Sequence, residues 1–88
     1  MPRRTWSKPF PEVRAAILAA VRDHGTETAT DITAMTGLPF EDVISALRML
    51  RRQGELDFDP VWEREDVMSD ARHIRLRAGA ADSGQVDE

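Results

Sequence analysis

The period of the apolar residues changes once along this chain, at Gly54, and that change restricts the folds open to it. Before Gly54 the apolar positions recur every three or four residues, the spacing of helices; after it they alternate, the spacing of strands. Over 40–53, Val43, Ala46, Leu47 and Leu50 fall on one side when successive residues are placed about 100° apart. Glu41, Ser45, Arg48 and Arg52 stand opposite, with Ile44 and Arg51 on one flank and Asp42 and Met49 on the other. In ELDFDPVW, Leu56 and Phe58 point one way and Glu55, Asp57 and Asp59 the other. In RHIRLRA, Ile74 and Leu76 oppose His73, Arg75 and Arg77. Trp62 is in phase with Leu56 and Phe58 and is expected to complete the core. Two such strands, joined by the polar residues 63–70, predict a hairpin too small to stand alone, so its apolar face must rest on the helices.

Upstream, Val13, Ile17, Ala20 and Val21, widened by Leu18, predict a helix over 11–23. Pro11 suits its first turn, where a missing N–H loses no partner, and Gly25 supplies the stop. Thr28-Ala-Thr-Asp31 fits the capping-box pattern with Asp in place of the usual Glu. It opens a short second helix that carries Ile32 and Met35 and ends at Gly37. Gly37-Leu38-Pro39 then turns tightly into the third helix. The expected fold class is α+β, mostly α, in the order helix, helix, helix, hairpin.

That order accounts for 11–78 as one domain, flanked by a basic arm at 1–10 and an acidic tail at 79–88. The tail, rich in small and acidic residues, cannot offset its own ordering entropy and is expected to be disordered. With 88 residues and no cysteine, the chain can rely on neither disulfides nor a thiolate metal site, so packing alone must hold it. No apolar run approaches the roughly 20 residues of a membrane span, and the first residues lack a secretory apolar segment; a cytoplasmic location is expected. Net charge is −4, which argues against indiscriminate polyanion binding, but residues 1–78 carry only −1 because the tail holds Asp82, Asp87 and Glu88.

The stretch TATDITAMTGLPFEDVISALRMLRRQGELDF resembles the winged helix-turn-helix family of small prokaryotic or phage transcriptional regulators. A capped helix, a T-G turn, V-x-x-x-L-x-x-L, a glycine and the first wing strand occur in that family's order, and the resemblance covers about residues 11–78. It implies double-stranded DNA as partner, with the third helix in the major groove and the hairpin wing on flanking backbone or minor groove. A homodimer is expected from size, because one domain of an 88-residue chain offers few base contacts alone. The groove-facing set it implies is Glu41, Ser45, Arg48 and Arg52. The departure lies in the first turn of that helix, where such regulators often carry Ser, Thr, Gln or Arg and this chain carries Glu41 and Asp42.

Those two carboxylates suit the positive end of the helix dipole and oppose phosphate there; Glu41 can also accept a hydrogen bond from a cytosine N4. Arg48 and Arg52 have no acidic residue at helical pairing distance and can reach phosphate or guanine edges, whereas Arg51 is expected to pair with Glu55. Arg75 and Arg77 are expected to form cross-strand pairs with Glu55, Asp57 and Asp59. Arg64 and Arg72, placed near the wing tip, and Arg3, Arg4 and Lys8 of the arm are candidate backbone contacts. The other reading is a winged helix that binds protein without touching DNA, through Phe40, Ile44 and Met49. No enzyme is expected: His24 and His73 belong to no metal-ligand spacing, and there is no glycine-rich phosphate loop, nucleophile elbow or cofactor motif.

Overall fold

In the computed structural model, which describes residues 6–77, three helices precede one antiparallel hairpin. They are α1 (Phe10–His24), α2 (Ala29–Thr36), α3 (Phe40–Arg52), β1 (Leu56–Arg64) and β2 (Val67–Leu76). This is the expected α+β, mostly helical order, with a winged-helix-like topology. Arg3, Arg4 and the tail at 79–88 lie outside the described residues. The capping box of α2 forms with both of its bonds: the Asp31 N–H donates to Thr28 Oγ1 at 3.0 Å and the Thr28 N–H to Asp31 Oδ2 at 3.3 Å. At the other end the Thr36 hydroxyl donates to the Ile32 carbonyl at 2.7 Å and accepts from the Leu38 N–H at 3.2 Å. Gly37, at φ 77, adopts the left-handed conformation that a C-terminal cap requires.

Val13, Ile17, Ile32, Val43, Leu47, Leu50, Leu56 and Phe58 are fully buried in a single core, so the helical stripes and the alternating strands meet as their periods demand. Met35 is an exception, with half of its surface exposed. A helix of eight residues has a narrow inward face, and Ala29 and Ile32 already fill it. The expected Arg51–Glu55 pair does not form either. Gly54, at φ 80, turns the chain away from the axis of α3, and Glu55 is instead gripped by Nε and Nη2 of Arg14 on α1. Arg51 bonds Asp57 at 3.1 Å and lies over the Phe58 ring, 5.0 Å from its centroid.

The hairpin is longer, and its turn tighter, than the sequence predicts. Residues 63–70 are not a connecting segment: only Glu65 and Asp66 separate the strands, and Val61, Trp62 and Arg64 pair with Asp70, Met68 and Val67. A hairpin end that extends past the helices has no core to cover. Its strands therefore carry polar residues on both faces and read locally as loop. Nearer the base, Asp57 pairs with Arg75 but Asp59 with Arg72, so His73 and Ile74 together face Phe58. His73 takes this bulge at φ 53, in a region that histidine enters more readily than most residues with a side chain. The extra residue resets the alternation. Ala71 and Ile74, three positions apart, are both buried, and the Ile74 N–H donates to the Glu27 carbonyl at 3.0 Å, tying the hairpin to the loop before α2.

Asp70 makes a second tie between the same elements. Its Oδ1 accepts from the Ala29 N–H and its Oδ2 from the Thr30 hydroxyl, both at 3.1 Å, so a strand carboxylate sits at the positive end of α2. Asp70→Ala is expected to lower the unfolding free energy by about 1–2 kcal/mol, the scale of a lost N-terminal cap. The measurement is a shift of the urea midpoint at constant slope. A midpoint that stays in place would show that the contact contributes nothing.

Candidate nucleic-acid interface

The outer face of α3 is set by the helix period. With Val43, Ala46, Leu47 and Leu50 turned into the core, Glu41, Ser45, Arg48 and Arg52 must face away from it. Arg48 and Arg52 are exposed, and among the described residues no carboxylate pairs with either. Glu41 is exposed and Ser45 half-buried. The structure thus brings these four together along one ridge.

Asp42 departs from the expected arrangement. It is only 4% exposed, and its Oδ2 accepts from both the Ser7 N–H at 3.0 Å and the Ser7 hydroxyl at 2.7 Å. The segment before α1 crosses the start of α3, held down by Trp6 and Phe10, whose rings lie 5.1 Å apart and pack on the core. The first turn consequently presents one carboxylate outward rather than two. The same crossing places Lys8, which is exposed, one residue from this contact. A period count assigns Asp42 to a flank; it carries no information about a chain segment that covers that flank.

Past the C-terminal half of α3, the apolar face of the hairpin extends beyond the helices and a cleft of about 320 Å³ opens. Arg48, Arg51 and Arg52 line it from the helix, and Phe58, Trp62 and Met68 from the hairpin. Trp62 keeps the side of the strand that alternation assigned to it, but it does not complete the core. Half of its surface is exposed, while Met68, its cross-strand neighbour, is buried. Alternation tells which face a residue takes, not how far the covering layer reaches. Trp62, Phe58 and Met68 were therefore not identifiable as site residues from the sequence.

The outward face of the hairpin neutralises itself in part. Arg75 lies 3.6 Å from Asp57 and 3.7 Å from Asp59, as cross-strand pairing predicts, and His73 Nδ1 lies 2.8 Å from Asp59 Oδ2. The His73 hydrogen bond, reinforced by the charge of Arg75, holds the Asp59 carboxyl below its ordinary range. The expected ion pair of Arg77 does not form among the described residues: Glu55 is taken by Arg14, and Arg77 meets it only through the backbone, donating its N–H to the Glu55 carbonyl at 3.2 Å. Arg64 stands at the end of β1 beside the turn. Arg72 is not near the tip: it pairs in register with Asp59, in the body of the hairpin, because the strands run further than the polar segment suggested. Both are exposed.

Among the described residues no group of His, Asp or Glu is arranged to hold a metal ion, and no helix is long and apolar enough to cross a membrane. Searches against protein-family models, curated proteins and solved structures find no match to this chain.

Proposed function

We infer that this chain binds double-stranded DNA as a small cytoplasmic transcriptional regulator, acting as a homodimer with α3 in the major groove. The observation that carries this reading is the pair Arg48 and Arg52, exposed on the ridge opposite the core with no acidic partner among the described residues. Two unneutralised guanidiniums on an outward helix face suit phosphate oxygens and guanine edges. Arg48 and Ser45 carry base contacts, with Glu41 accepting from a cytosine N4, while Arg52, Lys8, Arg64 and Arg72 touch the backbone. Burial of Asp42 beneath Ser7 supports the reading, because it removes one of the two first-turn carboxylates that opposed it.

A second reading, a winged helix that binds protein, keeps Phe40 and Met49, which are exposed and half-buried respectively, and loses part of Ile44, which packs against the core; Met35, half exposed, adds to the apolar surface. Selection from a randomised duplex pool at low salt separates the two. DNA binding is expected to enrich a defined site and to weaken with salt along a log–log line of slope about −0.9 for each phosphate contacted. A pool from which nothing is retained at low salt would overturn the DNA reading in favour of a protein-docking module.

A further inference from the structure

We propose that the cleft between α3 and the hairpin receives one unpaired nucleotide adjoining the duplex, with its base stacked on Trp62 and its phosphate held by Arg52. The inference rests on the nucleic-acid reading above and names the ligand of a part of the surface that the reading leaves unassigned.

The chemistry of the lining sets the ligand class. Arg51 is already committed, paired with Asp57 and lying over Phe58, so its charge is answered within the chain. Arg48 and Arg52 supply positive charge with no acid to answer it. Opposite them stands an indole with half its surface exposed, beside buried Phe58 and Met68. A complementary ligand must combine a flat apolar face with a negative group, which describes a nucleotide. The volume of about 320 Å³ lies at the small end of ligand sites, which start at about 300 Å³, and so admits one such unit. Inside a duplex both faces of every base are covered by its neighbours. An indole can therefore stack only on a base with an uncovered face, at an overhang, a melted step or a single strand, or more weakly on the outer face of a terminal pair.

The test compares a blunt duplex carrying the selected site, the same duplex with a short thymidine overhang, and a thymidine single strand. Affinity is read by anisotropy of labelled DNA and stacking by tryptophan fluorescence in a Trp6→Phe background, where Trp62 is the only indole. The overhang is expected to tighten binding about tenfold, the scale of one base stacked on an aromatic side chain, and to quench Trp62. In Trp62→Ala the ratio of overhang to blunt affinity should fall to about one, and because the side chain is half exposed the variant should retain its melting transition. Equal affinity for blunt and overhanging duplex without quenching would overturn the proposal while leaving the duplex reading intact. An overhang preference that survives in Trp62→Ala would also overturn it. Quenching by the single strand with no duplex bound would overturn both the duplex reading and the placement of the nucleotide beside a duplex, and no binding of any DNA at low salt would sink both.

Discussion

Replacing Arg48 and Arg52 together with alanine is expected to abolish most of the site-specific affinity for DNA while leaving the fold intact. Arg48 is placed to contact a base edge, and loss of such a contact costs about 1–3 kcal/mol and relaxes discrimination at that position. Arg52 is placed on the backbone, where loss weakens binding to all sequences alike and flattens the log–log salt dependence by about one unit. Together these amount to a loss of about two to three orders of magnitude, measurable by anisotropy across a salt series. Both side chains are exposed and make no ion pair among the described residues, so the melting transition should hardly move. Arg51→Ala gives the contrast. That residue bonds Asp57 and covers Phe58, so its loss should register in stability before it registers in affinity. If the double variant keeps full affinity for the selected site, the reading of α3 as the recognition helix does not survive.

The second large effect concerns the joint between the hairpin and the helices. Phe58 is the largest fully buried side chain and lies between β1 and the last turn of α3, roofed by Arg51. Truncating it to alanine removes the transfer free energy of a ring and leaves a cavity, together about 3–5 kcal/mol. A single small core of this size rarely supplies more than about 3–5 kcal/mol in total. Phe58→Ala is therefore expected to be largely unfolded at room temperature, with helix and strand signals lost together in far-ultraviolet circular dichroism, since the hairpin cannot stand without its support. A loss below about 1 kcal/mol in urea unfolding would mean that the hairpin is not seated on the helices through this ring.

Most short-range features were legible in the residues alone, the Arg51–Glu55 pair and the extent of the hairpin turn being exceptions. Thr28 and Asp31 cap α2 because side chains three residues apart reach each other's N–H groups whatever surrounds them. Val43, Leu47 and Leu50 face inward because the helical period aligns them, and the same period left Arg48 and Arg52 on the outside without an acid in reach. The switch at Gly54 likewise announced strands after helices. Each of these follows from bond geometry and side-chain reach over a few residues.

The rest depended on distances between segments far apart in the chain, which no short-range pattern carries. Asp42 is buried because Ser7, 35 residues earlier, lies across it. Glu55 turns to Arg14 rather than to Arg51 because α1 passes beside the base of the hairpin. Trp62 is half exposed although Phe58 and Met68 beside it are buried, and no alternation pattern states how far a covering element reaches. The three side chains share the cleft with the arginines of α3. The period of α3 placed the arginines on its outward side, but the length of the hairpin, set against the reach of the helices, gave them an aromatic wall to face.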